Sequence, residues 1–108
     1  VKYWDDECRR RNIRLVILLI PDKEQVYLEH IPSRFNTKDK PIQPSCLIPL
    51  EQELAAYGIP VINLLGPYRE EAVRDELLYW ADDTHWNTAG IRLAAQRTWD
   101  VLKNRNLP

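Results

Sequence analysis

At 108 residues the chain has room for one domain with its own core and not for two. Its 44% apolar and 29% charged residues are those of a folded globular chain and exclude a disordered one. A formal net charge of −1 gives no electrostatic case for nucleic acid or an anionic membrane as partner.

In chain order, Val1, Trp4 and Cys8 fall on one helical stripe, closed by Arg9-Arg10-Arg11, whose cations suit a helix C-terminus. Asn12 is the expected stop. Ile13 to Ile20 is β-branched-rich and nearly continuous in apolar residues, the pattern of a central parallel strand buried on both faces. Its longest apolar run, Leu15 to Ile20, falls far short of the roughly 20 residues that span a bilayer, so no membrane insertion by this segment is expected. Pro21 ends the strand. Lys23 to His30 reads as a short helix capped by Asp22. Ile31 to Pro49, with four prolines, is expected to be a long loop.

Leu50 to Tyr57 reads as a helix ended by Gly58 with Pro60 beyond it, and Pro60 to Leu65 as a second buried strand. Gly66-Pro67 is expected to turn the chain into a helix over Tyr68 to Leu78, with Ala72, Val73 and Leu77 inward. Leu78 to Trp80 reads as a short extended piece. Asn87 can cap the last helix, whose apolar stripe is Ile91, Ala94, Ala95, Thr98, Val101 and Leu102. Strands alternating with helices imply α/β/α layers around a parallel sheet. The chain has no Met, opens in what reads as the middle of a helix and carries no segment built like a signal peptide. These features lead to the expectation of part of a longer domain.

The chemistry concentrates in Asp82-Asp83-Thr84-His85-Trp86-Asn87-Thr88-Ala89-Gly90. A carboxylate that fixes an imidazole tautomer, and an imidazole that takes a proton from a hydroxyl, are two thirds of a hydrolytic triad. Asp82 and Asp83 are both within reach of His85, and the spacing does not choose between them. Trp86 can orient the imidazole or line a substrate pocket, and Gly90 in the first helical turn allows close backbone approach. A metal centre is not expected, because His30 is the only other histidine. Nor is a cofactor, since three glycines make no phosphate-cradling loop. Cys8 and Cys46 read as unpaired, partly buried thiols, Cys46 as buried rather than reactive. Ser33 and Ser45, the only serines, lack the Gly-x-Ser-x-Gly surround and the strand-to-helix turn that expose a nucleophile.

Leu78 to Ala95, with its Asp-x-His-Trp, resembles the closing block of SGNH (GDSL-type) hydrolases, nearest the branch related to the alginate O-acetylation proteins. Ile17 to Tyr27 is similar to that branch's strand running into Pro-x-Lys-Glu-x-Val-Tyr, and Gly58 to Leu65 resembles its following strand. The resemblance implies a flavodoxin-like three-layer α/β/α fold and a Ser-His-Asp triad acting on acyl esters, commonly acetyl on carbohydrate. It makes His85 the general base. Asp83 has the Asp-x-His spacing of the alginate branch and Asp82 the Asp-x-x-His spacing of the wider family, with Asp83 preferred. Trp86 and Asn87 would contact substrate. The family's Gly-Asp-Ser and Gly-x-Asn-Asp blocks are absent from residues 1–108.

The expectation is therefore a C-terminal part, residues 1–108, of a serine esterase or O-acetyltransferase, acting on an acylated small molecule or polysaccharide. The rest of the protein, N-terminal in the wider family's order, would supply the nucleophile. In the alginate branch the serine follows the histidine, and no serine follows His85 here. The branch also suggests an extracytoplasmic or membrane-tethered setting. The alternative is a non-catalytic glycan-binding or scaffolding module without the serine.

Overall fold

The computed structural model describes residues 1–35, 38–39, 45–74 and 76–104. The order of elements is α1 (Lys2–Arg10), β1 (Ile17–Leu19), α2 (Lys23–Val26), two short 3₁₀ turns (Leu28–His30 and Ser33–Phe35), α3 (Leu47–Ala56), β2 (Val61–Asn63), α4 (Leu65–Ala72) and α5 (Thr88–Asn104). β1 and β2 pair in parallel, Ile17 opposite Val61, Leu18 opposite Ile62 and Leu19 opposite Asn63. The fold is α/β, a small parallel sheet under helices. Alternation along the strands points Leu18 and Ile62 to one face, where they join a cluster with Leu64, Tyr68, Leu78, Tyr79 and Ala94. Asn63 points to the other, where its amide donates to Glu51 of α3 at 2.8 Å.

Two helix ends follow from local chemistry. Asn12, at φ 57°, closes α1 with Asn12 N–H on Arg9 O and Ile13 N–H on Cys8 O, the doubled bond of a Schellman stop. Gly58, at φ 71°, closes α3 in the same way through Ala55 and Leu54 carbonyls.

Elsewhere tertiary packing overrides the pattern. The strands have three residues each, and Ile13 and Ile20 are exposed rather than buried, because pairing is confined to three rungs. α1 turns the acidic Asp5 inward, paired with Arg9 at 2.7 Å, and leaves Val1 and Trp4 exposed. α3 begins three residues earlier than expected. Ser45 Oγ accepts Leu47 N–H at 3.2 Å, and Pro49 sits in the first turn, where its missing N–H costs nothing. Cys46, at that helix start, is exposed, not buried; both thiols are free. Of the expected 31–49 loop, residues 36–37 and 40–44 lie outside the described residues.

α4 starts at Leu65, with Gly66 and Pro67 in its first turn rather than in a preceding turn, and ends at Ala72. Helical spacing therefore stops applying, and Val73 (80% exposed) and Leu77 (56%) face solvent instead of the core. The inward residues of α5 are Gly90, Leu93, Ala94 and Val101, a stripe rotated from the expected one, and Ile91 and Ala95 are exposed. Gly90 sets that rotation: a Cβ there would lie 2.3 Å from the Leu78 carbonyl oxygen, so this is where α5 touches the Leu78 backbone. Among the described residues no helix is long and apolar enough to cross a membrane.

Candidate active site

The Asp82–Gly90 segment is a tight loop entering α5. Its base is a single antiparallel bridge between Tyr79 and Trp86, with Trp80 N–H on His85 O at 3.0 Å. Asn87 organises the exit. Its Oδ1 accepts Gly90 N–H at 3.0 Å, capping α5, while its Nδ2 donates to the carbonyls of Leu77 (2.6 Å) and Tyr79 (3.3 Å). Both ends of this side chain are thus engaged by backbone. Trp86 is half-buried and packs against the core.

Within the loop, His85 Nδ1 lies 2.7 Å from Asp83 Oδ1. The same oxygen accepts the His85 backbone N–H at 3.2 Å, with the Thr84 hydroxyl at 3.5 Å. The His85 hydrogen bonds, side chain first and backbone second, hold the Asp83 carboxyl below its ordinary pKa, against a smaller opposing effect of desolvation. An ionised carboxylate only accepts, so the shared proton sits on Nδ1, and the lone pair of a neutral ring is left to Nε2. Nε2 has no partner among the described residues, and the imidazole is 77% exposed. Asp82 is exposed, and its carboxylate makes no hydrogen bond among the described residues. The geometry brings Asp83 and His85 together and leaves Asp82 apart.

Sequence reading missed the residues that hold this loop. Lys23, in the first turn of α2, donates from Nζ to the carbonyls of Trp80 (2.6 Å), Ala81 (3.0 Å) and Asp83 (3.1 Å). The Tyr79 hydroxyl donates to the Pro21 carbonyl. Tyr27 Oη accepts Leu78 N–H at 2.8 Å and donates to the Glu76 carbonyl at 3.1 Å. From beneath, the fully buried Tyr68 donates to Gly90 O at 2.6 Å. Burial pushes the Tyr68 phenol up to about 12 and raises that of Tyr79 as well, so both remain donors. The signal was present: the Pro21-x-Lys23 and Tyr27 positions directly follow a buried strand, where parallel-sheet sites gather.

Among the described residues, no cluster of three or more His, Cys, Asp or Glu side chains is placed to hold a metal. Ser45, one of the two serines, has its hydroxyl engaged by Leu47 N–H and by the Gln25 side chain at 3.3 Å. The pair at His85 can take a proton and hold it; a nucleophile beside it is not among the described residues.

A family model described as "SGNH hydrolase-like domain, acetyltransferase AlgX" matches residues 1–108. A protein of Pseudomonas aeruginosa named "Probable alginate O-acetylase AlgJ" is 30% identical over 103 residues, covering 94% of this chain and 25% of the relative. Proteins of the same name from Pseudomonas fluorescens and Pseudomonas syringae pv. tomato are each 27% identical, over 99 and 92 residues, covering 92% and 85% of this chain. The chain spans about a quarter of the length of these curated relatives. No solved structure matches significantly.

Proposed function

The chain belongs to the SGNH hydrolase-like domain family of acetyltransferase AlgX, and from that premise we propose that it supplies the acid–base half of a Ser-His-Asp acyl-transfer centre. The reaction would form or cleave an acetyl ester of a carbohydrate, a reading supported by relatives named as probable alginate O-acetylases. The chain is read as one part of a longer polypeptide, with the serine outside residues 1–108. The alginate branch's order would put that serine after His85, and the wider family's order before Ile13.

The single observation that carries the reading is the 2.7 Å contact between His85 Nδ1 and Asp83 Oδ1, with Nε2 left open. In the reaction the serine oxygen attacks the acyl carbonyl as its proton passes to His85 Nε2. Asp83 stays ionised and stabilises the imidazolium. His85 then returns the proton to the departing oxygen, leaving an acyl-serine. Attack by a carbohydrate hydroxyl or by water, deprotonated in the same way, completes transfer or hydrolysis.

The test uses the full-length protein and p-nitrophenyl acetate. Asp83→Asn should lower kcat by about 10³-fold or more, because the amide no longer fixes the tautomer or stabilises the imidazolium. Asp82→Asn, whose carboxylate makes no hydrogen bond among the described residues, should stay within about threefold of the parent. Equal effects of the two substitutions, or none, would overturn the assignment. A protein that binds an acetylated glycan yet turns over no ester would favour the scaffolding alternative.

A further inference from the structure

Resting on the acyl-transfer reading above, we propose that Lys23 is a positioning residue for that centre: its ammonium gathers the loop that carries Asp83 and His85 and fixes the pair before substrate arrives.

An ammonium has three N–H donors and no acceptor. At Lys23 three carbonyl oxygens meet them, those of Trp80, Ala81 and Asp83 at 2.6, 3.0 and 3.1 Å. They converge from a turn of four residues, and the third belongs to the residue whose side chain holds His85. The lysine comes from an element 57 to 60 residues away in sequence, so the contact is tertiary and not a local cap. A solvated surface lysine shows no such saturation. Without the ammonium, three loop carbonyls lose a charged donor and return to water. Among the described residues the tip of the loop, Ala81 to Asp83, then keeps the weak Asp83 N–H contact to Trp80 O at 3.4 Å and the bonds of the Asp83 carboxylate to Thr84 and His85, while the base stays held by the Tyr79–Trp86 bridge and by Asn87.

Neighbouring contacts act in the same direction. Tyr79 reaches the Pro21 carbonyl and Tyr27 holds Leu78, so the segment from Pro21 to Tyr27 is tied to the Leu78–Tyr79 segment that leads into the loop. Of these only Lys23 touches the loop itself. Arginine is a poor replacement, because a planar fork cannot converge on three oxygens gathered around one point. The lysine does not reach the reacting atoms. Its effect passes through Asp83 to the orientation of the imidazole, and displacement of a catalytic group by about 1 Å is enough to cost up to about 100-fold in rate.

The experiment compares the parent, Lys23→Met, Lys23→Arg and His85→Ala in the full-length protein. Release of p-nitrophenol from p-nitrophenyl acetate is measured beside peptide-resolved hydrogen exchange. Lys23→Met should lower kcat roughly 10- to 100-fold through misplacement of the pair, with KM within about twofold. Exchange should accelerate in residues 79–87 and stay unchanged in β2 and the later turns of α5. Lys23→Arg should lie between, and it carries the test if the methionine variant does not fold. Parent-like kcat and loop exchange in Lys23→Met, while His85→Ala is inactive, would overturn the proposal. So would faster exchange throughout the core, which marks a merely structural lysine. If His85→Ala retains full activity, the acyl-transfer reading fails and the positioning role falls with it.

Discussion

The first helix and the site loop are both polar and both largely exposed, yet they are held in opposite ways. α1 is laced by pairs within its own turns: Lys2 with Asp6 at 3.1 Å, Arg9 with Asp5, Arg10 with Glu7. Among the described residues its one long reach is Arg9 Nη2 to Gly58 O at 3.2 Å. The site loop instead collects donors from distant parts of the chain, Lys23 on three carbonyls and Tyr68 on Gly90. Local exposed pairs contribute little and fade with salt. Remote donors onto backbone fix a conformation, and fixed geometry is what proton transfer requires. Exposure alone therefore does not distinguish a solvated face from a prepared site. The origin of the bonds does.

The sharpest way to break this contrast is Gly90→Ala. In an ordinary helix interior the change stabilises by about 1 kcal/mol. Here the added Cβ meets the Leu78 carbonyl oxygen at 2.3 Å and Trp86 Cβ at 3.2 Å. The expected outcome is a loss of about 3 kcal/mol, read by denaturant unfolding, as α5 is forced off the Leu78 backbone. A neutral or stabilising result would show that the loop is not seated where described. Asn87→Ala should cost about 1–2 kcal/mol by the same measurement, since it removes a helix cap and uncovers two carbonyls. Lys2→Ala, in α1, should cost no more than about 0.5 kcal/mol, and less at high salt. A lysine here as costly as Asn87 would erase the distinction between the two regions.

The titration of Asp83 sharpens the comparison without changing the fold. Its carboxyl is held below the ordinary value by the His85 hydrogen bonds. A depressed folded pKa means that the pairing contributes fully above the unfolded value and is lost as pH falls through the folded one. Carboxyl carbon NMR should therefore place the Asp83 midpoint below that of a free aspartate. In His85→Ala the midpoint should move up. A midpoint indifferent to the substitution would mean that the imidazole is not its partner.

What the sequence made legible was local. The stops at Asn12 and Gly58, the cap at Asn87 and the close approach at Gly90 all rest on the chemistry of one residue and its immediate neighbours. Both strands lie inside the apolar segments Ile13 to Ile20 and Pro60 to Leu65 and are shorter than them, because apolar content marks where a strand can run and pairing decides where it does. Val73 and Leu77 were misread because α4 ends at Ala72. The rotation of α5 was set by a contact with Leu78 that no helical period contains. In the site, Asp82 and Asp83 could not be separated by spacing alone, since either can reach a histidine two or three residues on. The place of Lys23 and Tyr27 just after β1 hints at a site, but their partners stand about 50 to 60 residues away, and spacing does not name them.

The measurement that tests the central claim most directly is the turnover of p-nitrophenyl acetate by the full-length protein before and after His85→Ala, with unfolding curves to show that the fold is kept. Removal of a general base from a triad predicts a fall in kcat of about 10³-fold or more at unchanged stability. Turnover that survives the substitution undiminished would contradict the account and leave the Asp83–His85 pair as loop architecture.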